Sequence, residues 1–248
     1  MKLSSSRLFK TLFGLIAAAA IGGPAIAQTV ETPLFDHSRF YVGGDVGAII
    51  PQDMSYTASV PIIGTLKTTV SGHISFNTGA AAGLSVGYHV NDWLALQGDF
   101  EYANLDYNKM TASIALLPTL PLTFGISGHS ETYSFLANAI ITNKTSWNGL
   151  TPYVGAGVGV SDVESSFSSI TFAGITVPVS DTHSEADLAA DAMIGVNYRV
   201  TPQIILGARY RLLYIDKAND DLISGTGGST SYGSLWGHVL TVTAAYHF

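Results

Sequence analysis

From about residue 40 onward, apolar residues alternate with small or polar ones at a period of two, the pattern of a strand that shows two different faces. The terminal stretch is the clearest. Trp236, His238, Leu240, Val242, Ala244, Tyr246 and Phe248 share one face, and Gly237, Val239, Thr241, Thr243, Ala245 and His247 share the other. Seven more runs read the same way: 40–50, 79–90, 94–103, 130–141, 153–161, 185–200 and 203–214. Eight strands follow, an even number.

The connections alternate in length. Asn91-Asp92, the stretch 143–150 and Thr201-Pro202 predict short turns. The other four connections, about 51–76, 105–128, 165–184 and 217–232, are long. The first three carry turn residues inside β-prone segments, such as Val60-Pro61-Ile62-Ile63-Gly64, and predict hairpins that extend the strands. Ser224-Gly225-Thr226-Gly227-Gly228-Ser229 reads as a flexible loop.

Which face points inward decides the class. In a water-soluble barrel or sandwich the apolar face is inside and the solvated face carries many charges. Here the second face is mostly Gly, Ser and Ala. The apolar face also has aromatic ends, with Tyr88, Tyr198, Tyr246 and Phe248 at one and Tyr102, Tyr133, Tyr214 and Trp236 at the other. Two aromatic girdles around an aliphatic band match the two interfaces of a membrane. Charges on the apolar parity, Asp106, Glu131, Asp162, Glu164 and Asp216, occur only at one set of strand ends. The expected fold is all-β: an eight-stranded antiparallel transmembrane β-barrel (40–248) with short periplasmic turns and long extracellular loops.

Composition adds a compartment. Lys2, Arg7 and Lys10 precede an apolar run, and Ala25-Ile26-Ala27 is a cleavage pattern, so 1–27 reads as a cleaved signal peptide and 28–39 as a short periplasmic segment. Removing 1–27 takes the formal charge from −7 to −10, which argues against nucleic acid as a partner. The chain has no cysteine and therefore no disulfide to form in an oxidising compartment.

Phe40-Tyr41-Val42-Gly43-Gly44, Thr151-Pro152-Tyr153-Val154-Gly155-Ala156-Gly157-Val158-Gly159, Gly207-Ala208-Arg209-Tyr210 and the closing Tyr246 and Phe248 resemble the small outer-membrane barrel superfamily of opacity-like surface proteins, the OmpA transmembrane domain and OmpW. The resemblance covers nearly all of 40–248. It implies a bacterial outer-membrane location, contact with outer-membrane lipids and lipopolysaccharide, and an assembly signal at Tyr246 and Phe248 read by the outer-membrane assembly machinery.

Candidate chemistry lies on the inward parity. Asp45, Asp99, Glu101, Glu185, Asp187 and Asp191 face Arg199, Arg209, Arg211 and His89. A narrow eight-stranded lumen favours a filling network of ion pairs over an ion pathway, with Arg209 and Arg211 expected to pair chiefly with Asp187 and Asp191. His129-Ser130-Glu131 and His183-Ser184-Glu185 hold triad residue types, but adjacent strand residues point to opposite faces, so no catalytic residues are assigned. His238 has Leu240, not serine, two residues on. His73, His129 and His183 have no diagnostic metal spacing, and no cofactor or metal is expected. The favoured function is a structural, envelope-stabilising and surface-interaction barrel whose loops meet host or envelope proteins. The alternatives are a narrow porin-like channel for small or hydrophobic solutes and, less favoured, a lipid-modifying enzyme.

Overall fold

A computed structural model describes residues 39–63, 66–114, 117–143, 149–172, 174–216, 219–220 and 229–248; some strand stretches, 179–185 among them, are described for their backbone alone. The expected signal peptide and nearly all of the 28–39 segment lie outside these residues. Twelve strands follow in order: β1 (Phe40–Pro51), β2 (Met54–Ile63), β3 (Leu66–Phe76), β4 (Gly79–His89), β5 (Leu94–Ile114), β6 (Leu117–Thr142), β7 (Leu150–Phe172), β8 (Ile175–Arg199), β9 (Ile204–Ile215), β10 (Asn219–Asp220), β11 (Ser229–Tyr232) and β12 (Leu235–His247).

Eight of them close a ring. Antiparallel ladders join β1–β4–β5–β6–β7–β8–β9–β12, and β12 returns to β1 in the register Tyr41↔His247 to Pro51↔Gly237. Closure removes the sheet edges that lipid cannot hydrate. The eight runs of alternation are these eight strands.

The parity places the greasy face outward. Val46, Val86, Val158, Leu188 and Val242 stand exposed, Val158 by 67 % and Val242 by 63 %, whereas Tyr41, Asp45, Ile49 and their counterparts are buried. A water-soluble protein rarely exposes an apolar belt running around its whole girth. The aromatic girdles are paired rings: Phe40 and Tyr88 at 4.7 Å on the periplasmic rim, and Tyr102–Tyr133 and Tyr214–Trp236 at 5.2 and 4.8 Å on the outer one.

Two of the short turns use one device. Asn91 Oδ1 accepts the Trp93 and Leu94 amides, and Thr201 Oγ1 accepts those of Gln203 and Ile204, so a side chain stands in for a backbone turn. Residues 144–148 of the third expected turn lie outside the described ones.

Three of the four long connections are built of strands. β5, β6, β7 and β8 run 21, 26, 23 and 25 residues, against the roughly 9–11 that cross a bilayer. β2 and β3 form a hairpin that joins the upper part of β5, and β11 adds to β2. Hairpins were expected over 51–76, 105–128 and 165–184; the structure makes the last two continuous with the barrel wall. Of 217–232, two short strands are described. The β8–β9 ladder stops at Ala189↔Ile215, so above it β8 has a ladder on its β7 side only, among the described residues.

Candidate functional site: a layered lumen

The inward side chains fill the barrel in layers, set by distance from the strand ends. At mid-height β1, β5, β8 and β9 each contribute charge. Arg209 Nη2 donates to Asp45 Oδ2 at 2.5 Å, and its Nη1 lies 3.8 Å from Asp99 Oδ1. Arg211 donates to Asp99 Oδ2 at 3.1 Å, pairs with Glu101 and sets its Nε 2.9 Å from Asp191 Oδ2. Each of these side chains is at least nine-tenths buried.

Asp99 is the hub. Besides the arginines it accepts Gln97 Nε2 at 2.7 Å and Asn138 Nδ2 at 2.6 Å, and the Tyr41 hydroxyl donates to Gln97 Oε1 at 2.6 Å. Four carboxyl groups therefore meet two guanidiniums, and neutral amides supply the remaining donors. Sequence reasoning left out Gln97, Asn138 and Tyr41. Their polar character on the inward parity was the available signal.

The other expected members are placed elsewhere. Arg199 lies at the periplasmic mouth. Asp187 is one inward step further out than Ala189, beside the apolar layer, and the side chain of Glu185 is outside the described residues. Pairing of both arginines chiefly with Asp187 and Asp191 is corrected in part. Arg211 does meet Asp191, but Arg209 reaches across to Asp45 and Asp99. In so narrow a tube an arginine spans the axis as easily as it follows the wall.

Above the charges lies an apolar layer: Ile49, Leu105, Leu136, Leu213, Ile215 and Val239, each 3 % exposed or less, with small Ala81, Ala103 and Ala189 between them. A third layer, Tyr56, Ile74, Tyr107, Ala112 and Ile126, packs inside the extracellular extension, with Tyr107 and Phe167 stacked at 4.7 Å. Burial pushes the Tyr56 and Tyr107 hydroxyls up from their ordinary pKa.

Below the charges the lumen opens into a vestibule of about 890 Å³ facing the periplasmic end. Tyr41, His89 and His247 form a triangle of rings: Tyr41 stacks on His247 at 5.1 Å and tilts against His89 at 5.2 Å, and the two imidazoles stack at 5.3 Å. Gly87 and Gly195 let two rings lie flat on the wall: a Cβ on either would fall 2.0 Å from Tyr41 Cζ or 2.4 Å from Tyr153 Cζ.

Two groups lie on the outer wall. Glu131 accepts the hydroxyls of Tyr102 and Tyr133 at 3.1 and 2.9 Å, and neighbouring Asp162 is fully buried. These acids were expected as charges at the membrane's outer edge; the tyrosine hydroxyls over them are a feature alternation alone does not show. His238 Nε2 accepts the Gln52 amide at 3.0 Å, which leaves Nδ1–H to donate to the Tyr210 hydroxyl at 2.7 Å. Ser130 points inward and is buried while His129 is exposed on the other face, so the pair does not converge. Among the described residues no three histidine or acidic side chains converge as a metal site.

Comparison with known proteins agrees with this architecture. No curated protein matches the chain significantly. Similar solved structures include Neisserial surface protein A, at 22 % identity over 84 % of this chain and 97 % of that one with a TM-score of 0.46. OprG of Pseudomonas aeruginosa follows at 13 %, covering 85 % and 97 %, with a TM-score of 0.48. Ail of Yersinia pestis, solved with the heparin analogue sucrose octasulfate, gives 15 %, 85 %, 99 % and 0.38. A family model, the outer membrane protein beta-barrel domain, matches residues 13–248. With the family match spanning nearly the whole chain, the closed ring and the outward apolar belt, this protein belongs to the outer membrane protein β-barrel domain family and resides in the bacterial outer membrane.

Proposed function

We propose that the protein is a closed surface barrel, one that stabilises the envelope and carries an extracellular β-extension for contact with other molecules, rather than a conduit. The carrying observation is the pair of stacked layers across the lumen. Arg211 is 1 % exposed with its carboxylates around it, and Leu213 and Ile215, next inward on the same strand, are sealed in the apolar layer. A porin-like channel needs both layers to move together, against well-packed aliphatic side chains and paired charges.

The extension supports the surface-interaction half. It prolongs four wall strands by about a dozen residues each, roughly 30 Å at the usual rise of a tilted strand. Its β7–β8 tip shows Phe172, Ile175 and Val177 to solvent, and upper β8 has no second ladder among the described residues, a side on which a further strand could add. Host or envelope proteins and lipopolysaccharide are the partners this surface fits. Planar-bilayer recording with the purified protein tests the reading. A silent bilayer is the expected result, and reproducible ion conductance that survives Leu213→Trp would overturn it.

A further inference from the structure

From residue 28 to the C-terminus the chain has four arginines, Arg39, Arg199, Arg209 and Arg211, and four lysines, Lys67, Lys109, Lys144 and Lys217. Arg209 and Arg211 stand inside the lumen, and Arg39 and Arg199 line the vestibule mouth. The two at mid-height are matched by carboxylates. The two at the vestibule mouth are not: among the described residues neither Arg39 nor Arg199 forms an ion pair, and Arg39 has only a 3.4 Å hydrogen bond to the Tyr88 hydroxyl. Guanidiniums without an ion pair among the described residues, at the rim of a concave site in an acidic chain, call for a physical reason.

The cavity behind them supplies one. Its volume falls within the 300–1,000 Å³ typical of small-molecule sites. It is blind, because the charged and apolar layers close its outer end, so only the periplasm feeds it. Its wall offers neutral hydrogen-bonding groups, among them Ser85, Asn197 and Thr243, together with the flat Tyr41 and Tyr153 rings. Of the two lining carboxylates, Asp45 is engaged by Arg209, and Asp92 sits on the exposed turn. At its floor lie Asp45 and Arg209, so the space ends on a charged pair rather than on apolar groups.

We infer that the vestibule binds small organic anions from the periplasm, with carboxylate or phosphate oxygens held by Arg39 and Arg199 and a planar apolar portion set against the tyrosine-lined wall. Guanidinium recognises such oxyanions through two parallel hydrogen bonds, which the hydrated ammonium of lysine does less well. The anionic headgroup of an inner-leaflet lipid presents the same oxygens, and the test separates the two sources.

The full protein in phosphatidylcholine nanodiscs is titrated calorimetrically with benzoate, benzamide and benzylamine, equal in ring but anionic, neutral and cationic. Benzoate is expected to bind in preference to both others, and about tenfold more weakly to Arg39→Gln/Arg199→Gln than to the unaltered chain. Lys67→Gln/Lys109→Gln, which changes the same charge on the extension, should leave binding intact. Heat-dependent gel mobility verifies that each variant is folded. Equal binding of the three probes, or benzoate binding indifferent to the arginine pair, overturns the inference, and the probe comparison needs no variant. Benzoate binding that disappears when the nanodisc is made of anionic lipid assigns the guanidiniums to headgroup phosphate and overturns the soluble-ligand reading.

Discussion

Arg209 and Asp45 lie 164 residues apart in sequence and 2.5 Å apart in space, a charged pair bridging β9 and β1 past the intervening β12. With Arg211 they turn the middle of the barrel into a cross-brace. A buried ion pair adds little against an apolar replacement of equal volume, but removing one partner strands the other. Arg211→Met leaves Asp99, Glu101 and Asp191 facing one another and is expected to cost about 3–5 kcal/mol. The denaturant midpoint for unfolding from detergent should fall accordingly; an unchanged midpoint would refute the brace.

Because four carboxyl groups face two guanidiniums, removing one negative charge should relieve the network. Asp191→Asn keeps the shape and a hydrogen-bond acceptor. It is expected to leave the same midpoint unchanged or raised, the opposite of Arg211→Met.

The lipid-facing belt is tested by a single charge. Val158 and Val242 are exposed midway along outward faces, and arginine at either is expected to cost about 2–4 kcal/mol, the value for the bilayer centre. Folding into phosphatidylcholine vesicles reads the loss. The same substitution at the exposed Asp92 of the β4–β5 turn should be near neutral.

Gly87 and Tyr41 are coupled by shape, since a Cβ on Gly87 would lie 2.0 Å from the Tyr41 ring. Gly87→Ala should destabilise by about 1–3 kcal/mol, the range for overpacking. In the Tyr41→Ala background the same change should be close to silent. Additive losses in the double variant would show that ring and glycine do not touch.

Tyr56 and Tyr107 in the extension are held protonated by burial. Their folded pKa is raised, so the stability they contribute is complete below the ordinary tyrosine value of about 10 and declines as pH rises through the folded values. Spectrophotometric titration should show phenolates missing from the first step and appearing in a second, and that second step should be smaller in Tyr56→Phe/Tyr107→Phe. The extension should loosen at that second step while the membrane ring keeps its far-ultraviolet signal.

Alternation alone identified the eight ring strands and assigned the inward Tyr41, Asp45 and Ile49 and both faces of Trp236 to Phe248. That succeeded because side-chain direction in a strand has a period of two, and lipid outside with a narrow tube inside makes the two faces chemically unlike. The short turns were legible for a similar local reason, as Asn91 and Thr201 make their turn with their own side chains. Which arginine meets which acid was not legible. Alternation says that Arg209, Asp45, Asp99 and Asp187 all point inward, but their heights depend on register and stagger between strands far apart in the chain. Only the closed ring set Asp99 opposite Arg209, brought Asp45 to it past β12, placed Arg199 at the mouth, and shaped the vestibule behind it. Direction is a property of each residue and its neighbours; height around a ring is a property of all eight ladders at once.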